Sequence, residues 1–124
     1  MQYNKKTKIA VIGVSADSEK YGHRIFRDLI DSNYSVVGVN PKGGTILGQK
    51  IFTSLEEIPE KPELLLIVVP PNVGMSVLQT AVKLDITDVW LQPGAQSDEL
   101  LQFALDNNLR LTHTDCFMVA HGIW

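Results

Sequence analysis

Six consecutive apolar residues, Leu64-Leu65-Leu66-Ile67-Val68-Val69, run without interruption and stop at Pro70-Pro71. A strand with one wet face alternates apolar and polar side chains, whereas an unbroken run is buried on both faces, as in a parallel sheet sandwiched between helices. Counting Glu63, this strand is predicted over residues 63–69. Residues 8–14 (Lys-Ile-Ala-Val-Ile-Gly-Val) have the same character. Shorter strands are predicted over 35–39, 87–91 and 109–113.

Between these runs the apolar spacing becomes helical. Residues 21–31 place Ile25, Phe26, Leu29 and Ile30 on one stripe, and Val73, Val77 and Ala81, flanked by Leu78 and Val82, form another. Ser97 stands where an N-cap would precede a face of Leu100, Leu101, Ala104 and Leu105. Ser54-Leu55-Glu56-Glu57 has the form of a capping box and predicts a short helix that stops near Pro59. The tail, with Phe117, Ile123 and Trp124, reads either as a loop or as a short final turn covering the sheet.

Five strands alternating with helices predict parallel pairing through right-handed crossovers. The expected architecture is one domain over residues 1–124, a Rossmann-like three-layer α/β sandwich with a five-stranded parallel sheet in the order 3-2-1-4-5. No repeat or Pro/Gly/Ser-rich linker divides the chain, and 124 residues is the usual size of one domain.

The formal net charge is −3, with no basic run longer than Lys5-Lys6, which argues against nucleic acid as a partner. The apolar run at residues 64–69 is too short to cross a bilayer, so no membrane partner is expected. The start of the chain lacks the apolar stretch of a secretory signal. Cys116 is the one cysteine, so no intrachain disulfide can form, and a cytoplasmic location is expected.

In open parallel sheets ligands bind beyond the carboxyl ends of the strands, where the strand order reverses. The corresponding loops here are 13–20, 40–50, 70–72 and 92–97, and they hold most of the glycines and prolines. In the first, Gly13 permits a tight turn, and N–H groups at the start of the next helix favour phosphate. A dinucleotide fingerprint would have glycine at 13, 15 and 18, but Ser15 and Ser18 occupy two of these positions. Serine hydroxyls still donate to phosphate oxygens, while Asp17 and Glu19 would repel an anion unless they point away.

The second strand ends in Val39-Asn40-Pro41-Lys42, without the acidic residue that accepts from the ribose hydroxyls of NAD. Lys42 instead suits an adenosine bearing a phosphate on its ribose. Coenzyme A (3′-phosphate) and NADP (2′-phosphate) both fit, as does a plain solvated lysine in a glycine-rich loop.

Several segments, in order, resemble one family: Ile9-Ala10-Val11-Ile12-Gly13-Val14-Ser15; Val37-Gly38-Val39-Asn40-Pro41-Lys42; Ile46-Leu47-Gly48-Gln49-Lys50 leading to Thr53-Ser54-Leu55; Val68-Val69-Pro70-Pro71; Val89-Trp90-Leu91-Gln92-Pro93-Gly94; and Thr114-Asp115-Cys116. Together they resemble the CoA-binding domain at the N-terminus of the succinyl-CoA synthetase alpha subunit, and more closely the small stand-alone CoA-binding proteins. The resemblance covers essentially the whole chain and implies binding of CoA or an acyl-CoA. It implies that Gly13, Val14, Ser15, Ser18 and Lys20 surround the pyrophosphate, with Tyr21 and His23 beside it in the first helical turn. Lys42, with Asn40 and Pro41, would lie near the 3′-phosphate and adenine. Val69, Pro70 and Pro71 would follow the adenosine–pantetheine path, and Gln92, Pro93 and Gly94 would line the outer crevice. Ala16-Asp17-Ser18 departs from the synthetase loop in lacking its second glycine.

The synthetase relies on a further ligase domain with a phosphorylated histidine, for which 124 residues leave no room. His113, Asp115, Cys116 and His121 cluster in sequence but lack the repeated spacing of a metal site. Cys116 has no visible oxyanion-hole partner. These residues are read as structural or near the ligand, and the chain as a non-catalytic binder, serving an unidentified protein partner or a homodimer. Its rivals are an NADP-linked reductase fragment and an interaction module with a vestigial site.

Overall fold

The computed structural model describes residues 3–124. The strands are β1 (Lys8–Ile12), β2 (Ser35–Val39), β3 (Thr45–Ile46), β4 (Gln49–Phe52), β5 (Leu64–Ile67), β6 (Asp88–Leu91) and β7 (Arg110–Thr112). The helices are α1 (Tyr21–Asp31), α2 (Pro71–Lys83), α3 (Asp98–Asp106) and α4 (Phe117–Ala120), with a single 3-10 turn at Leu55–Glu57. Among the described residues the sheet has seven strands in the order β3-β4-β2-β1-β5-β6-β7.

This corrects the expected five-stranded parallel sheet and its 3-2-1-4-5 order. Residues 40–50 are not a free loop, because they contain β3 and the start of β4. β3 pairs antiparallel with β4, Thr45 opposite Lys50, and β4 pairs parallel with β2, Gly38 opposite Ile51. The reversal is made at Leu47 and Gly48, with φ of 53° and 76°, both left-handed as a tight two-residue hairpin requires. The hairpin's two- and four-residue strands, with β3 at the sheet edge, bury little more than Ile46 and Ile51, so they carry no continuous apolar run. With β4 inserted, the six parallel strands follow the order 3-2-1-4-5-6 of a doubly wound Rossmann sheet. The order reverses between β1 and β5, which pair in register with Ile9 opposite Leu64.

The continuous apolar strands divide their side chains between two cores. Ile9, Val11, Leu64 and Leu66 face α1 and α4 with Phe26, Leu29 and Phe117. Ala10, Ile12, Leu65 and Ile67 face α2 and α3 with Leu78, Ala81 and Leu100. All four β5 side chains are fully buried, each contributing roughly 1.5–3 kcal/mol relative to exposure.

Ser97 caps α3 as expected, its Oγ accepting from the Leu100 N–H at 3.2 Å. Leu105, however, is 74% exposed; five residues past Leu100 it projects about 140° away from the buried face. The expected capping box is shifted. Ser54 caps nothing with its side chain, while the Glu57 carboxylate accepts from both the N–H and the hydroxyl of Thr53, so one 3-10 turn replaces a helix. The tail forms α4, and Gly122 (φ 71°) turns the chain so that the N–H groups of Ile123 and Trp124 both donate to the Met118 carbonyl. No helix among the described residues is long and apolar enough to cross a membrane.

Candidate functional site

Two glycines bring a helix end against a strand end. Gly13 follows β1 with φ 111°, and a Cβ there would sit 2.8 Å from Val68 Cγ2 and 2.9 Å from Val69 Cγ1. Gly22 lies in the first turn of α1, where a Cβ would be 2.1 Å from the Gly13 carbonyl oxygen. Only hydrogen at Gly22 lets α1 start against β1, the packing role that the last glycine of the dinucleotide fingerprint fulfils. The 13-15-18 spacing concealed it because the loop is longer here. The available signal was a glycine spent inside a helix, where it is unfavourable unless close packing demands it.

Side chains shape the intervening loop in place of the missing glycines. The Asp17 N–H donates to Ser15 Oγ at 3.1 Å, and the Glu19 N–H to Asp17 Oδ1 at 3.0 Å. Asp17 is thus occupied within its own turn. The buried His23 ring contacts the Ser15 carbonyl through Nδ1 at 2.8 Å. Lys20, the N-cap of α1, makes no side-chain cap, and the first turn has no acidic residue. Among the described residues nothing accepts from the N–H groups of Ser15, Ala16 or Ser18, or from the first three of α1. These donors and the positive end of the helix dipole present a place for an anion.

Beside this loop a cavity of about 230 Å³ opens over the ends of β1, β2 and β5. Ile12, Gly13, Val39, Pro41, Leu55 and Val69 give it an apolar floor, with Thr53, Ser54, Glu56, Ser76 and Thr80 supplying polar groups. The wall from the 3-10 turn and α2 was not foreseen. Val73, placed in a core stripe by its spacing, is 42% exposed and lines the cavity. Pro70 is the N-cap of α2 and Pro71 its first residue. Asn40 Nδ2 donates to the Val14 carbonyl, and Asn40 Oδ1 accepts from the Lys42 N–H at 2.7 Å. Asn40 therefore ties the Lys42 turn to the Gly13 loop at one edge of the sheet. The Lys42 side chain is exposed, whereas that of Val14 is buried in the core and leaves only its backbone to the loop.

Across the β1–β5 divide lies a second group. Gln92, fully buried at the end of β6, donates through Nε2 to the Tyr21 hydroxyl at 2.9 Å and to Cys116 Sγ at 3.4 Å. Its Oε1 accepts from the Phe117 N–H at 2.7 Å. Pro93 and Gly94 form the exposed turn beyond it. Tyr21 is pushed up to about 12, by burial first and then by its contact with Cys116. For Cys116 burial acts upward, but hydrogen bonds from Val119, Tyr21, Gln92 and Met118 outweigh it and lower the thiol. Gln92 was assigned to the crevice by resemblance; its link through Tyr21 to Cys116 joins positions 71 and 24 residues apart and left no sequence signal. His121 stacks on Phe117 at 3.8 Å. No cluster of three or more His, Cys, Asp or Glu able to hold a metal occurs among the described residues.

A solved structure of a conserved hypothetical protein from Pyrococcus furiosus superposes with a TM-score of 0.88 at 36% identity, covering 92% of this chain and 98% of that one. The uncharacterized protein YneT of Bacillus subtilis is 24% identical over 119 residues, covering 96% of this chain and 88% of YneT. The alpha subunit of the ADP-forming acetate–CoA ligase I of P. furiosus is 39% identical over 83 residues, covering 62% of this chain but 18% of that subunit. The CoA binding domain model matches residues 7–122. On that match, and with a Rossmann-like sheet beneath it, the chain belongs to the CoA binding domain family.

Proposed function

We propose that this chain binds coenzyme A or an acyl-CoA across the carboxyl ends of its parallel strands and performs no chemistry on it. One observation carries the reading: the open N–H groups of the Gly13 loop and α1 stand beside an apolar cavity at the point where the strand order reverses. In this reading the pyrophosphate takes those donors, with Ser15, Ser18, Lys20 and His23 around it. The adenosine enters the cavity over Pro41 and Val69, which puts its 3′-phosphate within reach of Lys42. The pantetheine arm runs past Pro70 and Pro71 toward Gln92, Pro93 and Gly94. The P. furiosus ligase relative is named as a subunit; the counterpart here is a partner protein that supplies the chemistry, or a second copy of this chain. A cytoplasmic setting suits the free thiol of Cys116.

Calorimetric titration with CoA, dephospho-CoA and NADPH tests the reading. CoA should bind more tightly than dephospho-CoA, and Lys42→Ala should cost CoA about 1 kcal/mol, the low end for a charge-assisted contact on a screened loop. NADPH binding in preference to CoA would shift the assignment to a reductase-like domain. Binding of none of the three would leave an interaction module with a vestigial site.

A further inference from the structure

Trp124 does not line the cavity over β1, β2 and β5, yet it packs against Tyr21, whose hydroxyl meets Gln92 at the end of β6. After Gly122 turns the chain, the Trp124 indole N–H donates to Asp28 Oδ2 at 2.6 Å on the outer face of α1. The Arg24 guanidinium sits 5.3 Å from the centre of the indole. One turn nearer the start of the helix, the Tyr21 ring lies 5.7 Å from the indole at 55°. Tyr21, Arg24 and Asp28 fall on one helical face at spacings of three and four, so one indole grips three successive positions. Tyr21 is the first residue of α1, and its hydroxyl accepts from the fully buried Gln92 amide. Tyr21 is 36% exposed; beyond its hydroxyl contacts with Gln92 and Cys116, the indole is the ring's neighbour on the outer side that limits a change of rotamer.

We infer that Trp124 is a positioning residue for the CoA crevice: it fixes the Tyr21 ring so that its hydroxyl stays on Gln92 and closes the β6 side beside the open N–H groups of α1. The inference rests on the proposed binding of CoA. Trp124 acts only through Tyr21 and touches no ligand. Without the indole, the Tyr21 ring swings off Gln92, and the wall of the crevice must be reordered each time a ligand binds.

Calorimetric titration of CoA into the wild type, Trp124→Ala, Tyr21→Phe and the double variant tests it, alongside thermal melts of each. Tyr21→Phe keeps the ring for Trp124 to pack against but removes the hydroxyl it positions. Trp124→Ala should weaken CoA about three- to ten-fold, the range typical of an aromatic pair. In the Tyr21→Phe background the same change should leave CoA affinity untouched while still lowering the melting temperature. If the losses in affinity multiply, or Trp124→Ala binds CoA like the wild type, the inference is wrong and the binding proposal stands. If the wild type does not bind CoA, both fall. Should Trp124→Ala fail to fold, Trp124→Leu takes its place in the same cycle, with the same two outcomes deciding.

Discussion

The two ends of the sheet handle their polar groups differently. At the amino ends, polar groups are spent on one another. The buried Asp88 carboxylate accepts from Arg110 at 2.7 Å, from the Tyr3 hydroxyl at 3.0 Å and from Thr87 at 3.2 Å, while the Lys8 N–H donates to Glu63 and its ammonium pairs with Glu60. At the carboxyl ends, Gly13 holds a positive φ, helix donors are left open and a cavity separates α2 from the strand tips. The amino end closes its charged groups with side-chain partners; at the carboxyl end, where Gln92, Tyr21 and Cys116 also pair with one another, glycine, proline and backbone keep the donors of the Gly13 loop open. The difference teaches that charged side chains at the amino ends are satisfied within the fold, whereas the backbone donors of the Gly13 loop and α1 are left available.

The largest effect expected from breaking this contrast is at Gly22. Gly22→Ala would drive a methyl into the Gly13 carbonyl oxygen and should cost about 3 kcal/mol or more, since backbone on both sides must move. Urea denaturation reads the loss, and whatever folds should bind CoA far more weakly. A variant of wild-type stability would mean that α1 and β1 are not in forced contact.

Asp88→Ala tests the closed end. It removes the carboxylate that Arg110, Tyr3 and Thr87 share, so about 1–3 kcal/mol of stability should be lost, with CoA affinity unchanged. A drop in affinity beyond the loss of folded protein would show that the two ends are coupled.

Tyr3 sharpens the same comparison by titration. Its hydroxyl is pushed up to about 12, by burial first and then by Asp88. A group harder to ionise in the folded state than in the unfolded chain adds stability that is complete below pH 10 and is lost as pH rises from 10 toward 12. The melting temperature should fall less steeply over that window in Tyr3→Phe than in the wild type. Equal slopes would remove Tyr3 from the network. Tyr21, raised to the same value at the open end, contributes a parallel loss that Tyr21→Phe should relieve.

What the chain reveals before folding follows the same divide. Continuous apolar runs identified β1 and β5, because two-sided burial writes itself as uninterrupted hydrophobicity; β7, where Arg110 is exposed, has no such run. The hairpin of β3 and β4 was missed because an edge needs few apolar residues and its turn depends on Leu47 adopting a left-handed backbone. The error in strand order followed from that omission, since leaving out β4 moves β5 to the wrong side of β1. At the site, the strand-end loops were legible from glycine and proline, but the α2 wall of the cavity and the Gly22–Gly13 contact are made in three dimensions. Val73 illustrates this: helical spacing assigned it to a buried stripe, yet the gap between α2 and the strand tips leaves it lining the cavity.

Backbone amide NMR during a CoA titration tests the central claim most directly. The largest shifts are predicted at the N–H groups of Ser15, Ala16, Ser18, Tyr21, Gly22 and His23, with Asp88, Arg110 and the rest of the amino ends unmoved. Shifts centred on Asp88 and Arg110, or none at saturating CoA, would contradict it.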